Sequence, residues 1–470
     1  MALQHNLDIQ IERCGPEIGR YVLESSYGAY DPLFSFTARE TFASVPKFID
    51  PKKPNVDYPY EATTDTYAPG LTGRTPWGLS YGLGAAWDSS RMLSFLPISF
   101  DFPTGRRDTN EYQGMVVLTL RQPLLKNFWI DADRYRISLN KKNLKISELA
   151  LQQQIINVVT QVELAYYDLL YTRERINVQG KALELAQQLL EEDRQRQAAE
   201  KAGLLEVQQA EAQVETAQAN LIAARQADLE QQNALKGLLS DDYRSWPDVR
   251  LEPTDKPLLA PRVFSRQESW QTAMDSRLDL RQFRLELEKK DLAIRYHFNQ
   301  LFPALDLVGS YGRNAAEPGF GDALHDLSTG AHPAYHYGVV ISVPLSRKAQ
   351  RSNYRAAQAA QKESLLQFKK LEEAILIQVD NAGRTVEMAW QHARAARRAR
   401  EYAETALAGE QKRLEVGGST TFVVLQLQRN LTEARLAEIR ALADYNKALA
   451  QLAFSEGSTL ERHHIGVEVK

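Results

Sequence analysis

The feature that most constrains this chain is the length of its uninterrupted helical stretches. From Ile130 to Ala202 there is no proline, and Gly180 is the only glycine. At 1.5 Å per residue such a helix extends on the order of 100 Å. A second stretch of strong helix formers runs from Leu204 to Leu239. Two more run from Arg351 to about Glu415 and from Thr420 to Phe454. Average helices are about 11 to 12 residues long. Compact globular cores do not need helices several times that length, whereas coiled coils and helical tubes do. The Leu204–Leu239 stretch, taken in steps of seven, puts Val207, Val214 and Leu221 on one line and Ala210, Ala217 and Ala224 on another. Apolar a positions with alanine at d predict a seam at which two backbones approach closely. Val424 and Leu431, with Leu427, Ala434 and Ala441, repeat that seam later in the chain.

The repetition is an internal duplication. Val162-Glu-Leu-Ala165 corresponds to Val379-Asp-Asn-Ala382, and Val214–Ala217 to Leu431–Ala434, each pair 217 residues apart (379 − 162 and 431 − 214). The opening Ala2–Ile9 corresponds to Ala273–Leu280 at a separation of 271 (273 − 2), which Pro32 and Pro303 keep. The first copy therefore carries 54 additional residues (271 − 217) between Pro32 and Val162. The expected organisation is a first repeat over 1–239, a linker over 240–262 that is rich in proline, a second repeat over 263–456 and a C-terminal tail over 457–470. Repeats of this kind decide the fold before any local reading.

Between the helices the period changes to two. Residues 2–27 read as a short helix, and Pro32–Ala43 as a strand with Phe34, Phe36, Ala38 and Phe42 on one face. Residues 46–76, rich in Pro, Asp, Thr and Tyr, read as loop. Trp77–Trp87 alternates Trp77, Leu79, Tyr81, Leu83, Ala85 and Trp87 against glycine, serine and alanine. Tyr112–Leu120, Leu305–Tyr311 and Tyr335–Val343 are further strands, with residues 312–334 expected as loop. Large apolar residues against small ones, with aromatics at the ends, fit a strand between lipid and a lumen better than one at the edge of an aqueous sandwich. The expected membrane-facing aromatics are Trp77, Tyr81, Trp87, Tyr335 and Tyr337. Of the 54 additional residues, most lie between Ser44 and Tyr112, include the Trp77–Trp87 strand and the apolar stretch Met92–Phe102, and are expected to form an added hairpin that extends the β-region at its extracellular rim, because so short a segment cannot bury a core alone.

Composition excludes several classes. The formal net charge is −3, with both signs interspersed, so no polyanion partner is implied and nucleic acid is not expected. The arginines at 394, 397, 398 and 400 lie beside Glu401 and Glu404 and read as a solvated helix face. Cys14 is the single cysteine, which rules out a disulfide framework and a multi-cysteine metal site. No apolar run reaches the roughly 18 residues of a membrane helix. No leader precedes the repeat at Met1, and the expectation is that one is missing from this chain rather than that the protein stays in the cytosol.

No catalytic constellation emerges. Gly82-Leu83-Gly84 lacks a phosphate-binding continuation. His332 and His336 enter a strand without converging, His463 and His464 lie in a tail expected to be mobile, and Asp241-Asp242 is a helix-end turn. The expectation is that the protein is not an enzyme and holds no cofactor or metal. The remaining alternative is a soluble coiled-coil scaffold with a small β-domain, which leaves the alternating aromatic strands unexplained and would stay monodisperse without detergent.

The order helix, strand, strand, long helix pair, occurring twice, resembles the TolC-like outer-membrane efflux protein family. The residues that carry the resemblance are Ala273–Leu280 followed by Leu301–Tyr311, Leu120–Leu125, Val343-Pro344-Leu345, and Val416-Gly417 followed by Val424-Leu425-Gln426. They span nearly the whole chain in the family's order. The resemblance implies a mostly α fold with a β-barrel part, its long antiparallel coiled-coil helices forming an α-barrel in the periplasm. It also implies a homotrimer in the bacterial outer membrane, each protomer giving four strands to a twelve-stranded transmembrane barrel, or six if the added hairpin joins. Its implied partners are outer-membrane lipid, a periplasmic adaptor protein and an inner-membrane pump, with the chain acting as a passive exit duct for efflux or type I secretion.

In the family the tube closes near the turn between the long helices of the second copy, where acids and an Arg stand. Here that turn reads Val416-Gly417-Gly418-Ser419-Thr420-Thr421-Phe422-Val423-Val424-Leu425-Gln426. Val423 and Gln426 occupy the acidic positions and Ser419 the Arg position. Glu206 is the first-copy counterpart of Val423 (423 − 206 = 217). The expected constriction residues are therefore Glu206, Gly417, Gly418, Ser419, Val423 and Gln426, with closure held by packing more than by charge. The plain alternative for Glu206 is an acid at a helix start, favourable beside the N-terminal dipole.

Overall fold

The computed structural model describes residues 1–46, 59–95, 105–198, 203–246, 248–255, 259–260 and 264–466. The chain divides into two units, one of residues 1–19, 144–286 and 364–470, the other of residues 20–143 and 287–363.

The second unit is built on one six-stranded sheet whose spatial order is its chain order. Its strands are β1 (Leu33–Val45), β2 (Tyr60–Arg74), β3 (Ser80–Phe95), β4 (Arg106–Pro123), β5 (Ala304–Glu317) and β6 (Pro333–Ser342). Every neighbouring pair is antiparallel. β2 and β3, both within the additional residues, form a full-length hairpin between β1 and β4. The turn joining them places Gly78 at φ 92°, a left-handed conformation that suits glycine, and a Cβ there would meet Arg134 Nη2 at 3.1 Å.

The structure corrects three of the strand and loop readings. Residues 60–74, expected as loop, are β2. The misleading residue is Pro69, which pairs with Phe36 of β1 but breaks the ladder to β3, where the pairing passes from Tyr67 opposite Trp87 directly to Gly70 opposite Gly84. Proline has no N–H to donate on that side. Trp77 stands in the turn before β3 rather than in the strand. Residues 312–334 are not loop: β5 continues to Glu317, and Phe320–Thr329 is a helix. Of Met92–Phe102, the residues to 95 end β3 and the rest lie outside the described residues.

In chain order the helices are α1 (Ala2–His5), α2 (Leu7–Tyr27), α3 (Ala132–Ala198), α4 (Leu204–Leu239), α5 (Arg266–Ser276), α6 (Leu278–Asn299), α7 (Phe320–Thr329), α8 (Lys348–Glu415), α9 (Thr421–Glu456) and α10 (Thr459–Arg462). The α3 and α8 helices have 67 and 68 residues. The heptad seam of α4 is the buried one: Val207, Ala210, Ala217, Leu221 and Ala224 are all buried. On α9, Val424, Leu431 and Ala441 are buried in the same way.

The duplication reappears as matched packing in the first unit. Ile9, Leu151 and Val158 form one core cluster, while Leu280, Ile375 and Phe368 pack in another. Their offsets are 271 for Ile9 and 217 for Leu151 and Val158 (280 − 9, 368 − 151, 375 − 158). The hinge residues before α2 and α6 correspond too. Asn6 Nδ2 donates to the Leu238 carbonyl at 3.0 Å, and Arg277 Nη1 donates to the Ser455 carbonyl at 3.1 Å. Thus the side chain at each hinge ties it to the last turn of that copy's second long helix. The tail beyond Glu456 is fastened at its start: Thr459 is buried, and His463 Nε2 lies 3.1 Å from Glu163 Oε2. This corrects the expectation of a mobile tail at His463.

Candidate membrane wall and helix-tip closure

The register of the sheet separates the side chains into two faces. Partners across an antiparallel ladder point to the same side. One rung crosses all six strands as Phe34, Leu71, Leu83, Leu118, Tyr311 and Tyr335. All six are exposed. One residue along, on the other face, the rung is Ser35, Gly70, Gly84, Val117, Gly312 and Ala334. An exposed apolar rung six strands wide, backed by small residues, has no use in water. It is the division of a wall between lipid and an aqueous lumen.

The apolar side continues along the strands through Phe36, Phe42, Tyr67, Val116, Leu120, Leu307, Tyr337, Val339 and Ile341, all exposed. On β5 the face from Leu305 to Ala315 spans about 33 Å at 3.3 Å per residue, about 25 Å of membrane at a tilt of about 40°, of which the part from Leu305 to Tyr311 is open and the part from Arg313 on lies at α7. Beyond it lies a polar rung of Glu40, Asp65, Ser89, Tyr112 and Glu317. At the opposite end, on the small-residue face, Arg121 Nη2 donates to Asp306 Oδ2 at 2.5 Å. The edge strands β1 and β6 are exposed over almost their whole length.

Helix α7 lies on the apolar face. Phe320 meets Trp87 edge-on at 4.7 Å between ring centroids and Tyr112 at 6.1 Å. A Cβ added at Gly114 would collide with Leu327 Cδ1 at 2.6 Å, so that glycine admits the helix. Arg313 donates to the carbonyls of Leu327 and Ser328, the last turn of α7, where a cation is favourable. The structure therefore places Tyr335 and Tyr337 on the open apolar face, Tyr81 over Gly73, and Trp87 against α7 instead of open to lipid. Sequence reasoning missed α7 although Phe320, Ala323, Leu324 and Leu327 carry the helical i, i+3, i+4, i+7 spacing.

The constriction candidates lie where α3 gives way to α4 and α8 to α9. Glu206 Oε2 accepts from the Gly203 N–H at 3.1 Å, and the Glu206 N–H returns to the Gly203 carbonyl at 3.2 Å. The carboxylate is half-buried and caps α4, the role of an acid at a helix start. Gly417 takes φ 74° in the α8–α9 turn, and the Gly418 N–H donates to Arg413 O at 2.8 Å. Ser419 Oγ donates to Glu410 Oε1 at 2.5 Å, while Gln426 Nε2 pairs with Asn430 Oδ1 on its own helix. Val423 is exposed. Beneath the turn, Leu189, Leu407, Leu414, Val424, Leu425 and Leu431 form a core cluster.

One tip residue escaped sequence reasoning. Asp193 of α3 is fully buried, and its Oδ1 accepts from Thr421 Oγ1 of α9 at 3.0 Å. Burial pushes the Asp193 carboxyl above its ordinary range, against the opposing pull of Thr421 and Arg196. Arg196 Nη2 donates to the Leu414 carbonyl at 3.0 Å, a second tie between the two copies. Nothing in the periodicity marks Asp193, because an acid on a charged helix looks solvated until its neighbours are known.

Among the described residues no cluster of His, Cys, Asp or Glu could hold a metal. His332 lies 3.8 Å from Asp326, while His336 Nδ1 is 2.7 Å from Ser310 Oγ, so the two engage different partners. Also among the described residues, no helix is long and apolar enough to cross a membrane.

A sequence profile described as outer membrane efflux protein matches residues 78–240 and 270–458, one match in each copy. The chain belongs to this family. Its fold is shared with solved structures of low sequence identity. A membrane protein from Pseudomonas aeruginosa is 18% identical with a TM-score of 0.69, covering 100% of this chain and 90% of that one. The Campylobacter jejuni CmeC outer membrane channel is 14% identical with a TM-score of 0.65, covering 97% of this chain and 84% of its own. The Neisseria gonorrhoeae MtrE outer membrane channel, solved in its open state, is 16% identical with a TM-score of 0.67 over 98% and 88%. No protein of curated function matches the sequence. The family is one of outer-membrane channels and is not an enzyme family.

Proposed function

We propose that this protein is the outer-membrane exit duct of a tripartite efflux or type I secretion machine, carrying cargo passively from an inner-membrane pump and periplasmic adaptor to the cell exterior. The observation that carries the reading is the six-stranded sheet with one wholly exposed apolar rung and two bare edge strands. Backbone at membrane depth must be paired, and an open edge cannot face lipid. Six strands fall short of the eight with which single-chain bacterial barrels begin. Copies of the chain must therefore close the wall, and a homotrimer is the assembly that the family resemblance supplies. Three protomers would each bring α3, α4, α8 and α9 to the helical tube.

The test is assembly and site of residence. The protein should fractionate with outer membranes and require detergent for extraction. In that detergent it should give a mass of three copies by light scattering. A monodisperse monomer in plain buffer would return the soluble scaffold to first place and sink the duct.

A further inference from the structure

We infer that the additional hairpin β2–β3 widens the transmembrane wall itself, so that three copies close an eighteen-stranded barrel rather than the twelve-stranded one of the family pattern. This rests on the trimeric duct reading and goes beyond it.

Three observations carry it. First, the hairpin is inserted in the middle of the sheet, with 13 residue pairs to β1 along Leu33–Val45 and 16 to β4 along Ser80–Phe95. It cannot be a flap on the rim, because removing it would leave β1 and β4 apart. Second, its strands carry the same two-faced pattern as the rest. Leu71 and Leu83 stand exposed on the apolar side. The opposite side of the hairpin is Thr64, Thr66, Ala68, Gly70 and Thr72 on β2, with Gly82, Gly84 and Ala86 on β3. A hairpin lying outside the wall would have no reason to keep that division. Third, β1 and β6 remain the exposed edges, so the seam with the next copy falls there.

Barrel diameter grows roughly linearly with strand number, so eighteen strands give a lumen about 1.5-fold wider than twelve. In their central part, Thr64–Thr72 and Gly82–Ala86, the inserted strands line that lumen with small and neutral residues, which add width without filling it. The wider barrel then admits larger solutes from the outside.

The experiment uses the full chain carrying Cys14→Ser, reconstituted in planar bilayers. Gly84→Cys reports the inner face, since a Cβ there meets only Val117 Cγ1, at 4.0 Å. Its neighbour Leu83→Cys reports the outer face. A charged, membrane-impermeant methanethiosulfonate should modify Gly84→Cys and change its conductance, and leave Leu83→Cys unmodified. Polymers added on the barrel side should show an exclusion radius about 1.5-fold larger than for a variant lacking residues 47–105. Should that variant fail to assemble, the cysteine pair decides alone. A detergent-extracted trimer in which Gly84→Cys is unreactive, or in which the exclusion radius is unchanged by the deletion, overturns the wide barrel and leaves the duct standing. A dimer, closing twelve strands from two copies, also overturns it. A detergent-independent monomer overturns the duct reading instead.

Discussion

Leu118→Arg should weaken the folded, membrane-inserted protein by about 1–3 kcal/mol per protomer, whereas Met115→Arg, three residues earlier on the same strand, should cost under about 1 kcal/mol. Leu118 sits in the rung that runs through Leu83 and Tyr311 to Tyr335, with apolar neighbours on both sides and exposed surface facing outward. On β5 the open part of that face runs from Leu305 to Tyr311, and Arg313, the next residue on it, donates to the last carbonyls of α7, so the Leu118 rung lies between the midplane and one border of the band, where a guanidinium loses part of its hydration. Met115 is equally exposed but belongs to the opposite face, beside Asn314, where an arginine reaches lumen water. The two variants thus add the same charge to the same strand and differ only in face. Urea titration of protein refolded into phosphatidylcholine vesicles, followed by tryptophan fluorescence, measures both. The larger cost must fall on Leu118→Arg. Equal costs, or a larger cost for Met115→Arg, would refute the assignment of the faces and with it the lipid-facing wall.

Other consequences concern the helical unit. The buried Asp193 holds its proton more tightly when folded than unfolded, so its contribution to stability falls as pH rises from the ordinary carboxylate range through the raised folded value. Asp193→Asn should therefore melt at or above the wild-type temperature at pH 7 and lose that advantage near pH 4. Asp193→Ala should melt lower at both, having lost the bond from Thr421; an unchanged pH profile in the asparagine variant would contradict the burial argument. Glu206→Gln should cost about 0.5–1 kcal/mol through weakened capping of α4. If Glu206 also rings the pore, block of conductance by divalent cations should fall in that variant, and unchanged block would leave capping as its whole role. Gly383→Leu should lower stability by about 1–3 kcal/mol through overpacking, because even a Cβ there would overlap the Phe264 ring, which packs against the Tyr445 and Leu452 cluster. Differential scanning fluorimetry in detergent reads this last change, and a shift smaller than that of an exposed-face control such as Gly409→Leu would count against it.

How much of this was legible in the sequence depends on whether a residue's meaning is local. The long helices were, because freedom from proline and a seven-residue alanine seam are properties of the segment itself; the seam residues Val207, Ala210 and Ala217 are indeed the buried ones. The duplication was legible for the same reason, and the offsets 271 and 217 (280 − 9 and 375 − 158) reappear as equivalent core contacts. Strand β2 was not, because Pro69 spoils only the ladder toward β3 and leaves that toward β1 intact, a distinction that exists once the neighbours are known. Asp193 was hidden for a related reason, since its burial is conferred by α9, more than two hundred residues away in sequence.

Helix α7 shows how local and non-local signals can conflict on one element. Its apolar spacing is helical, but glycines and prolines crowd its flanks, and they ordinarily mark loop. The conflict resolves in three dimensions. Gly319 and Gly330 are its end residues, Gly330 at φ 75° forming the C-cap, so these glycines delimit the helix instead of dissolving it. Gly114, on a strand some two hundred residues earlier, supplies the bare patch on which Leu327 rests. Having found that patch, α7 covers Trp87, which the alternation of β3 alone had assigned to lipid. Ala323 is wholly buried beneath it, while Phe320, set against Trp87 and Tyr112, and Leu324 remain half exposed. A short helix whose single apolar row is partly packed on the sheet and partly open, beside the polar rung of Glu40, Asp65 and Glu317, has the character of an element at a membrane boundary. Strand alternation tells which face of the wall meets lipid; it takes the packing of α7 to tell where along the strand that face ends.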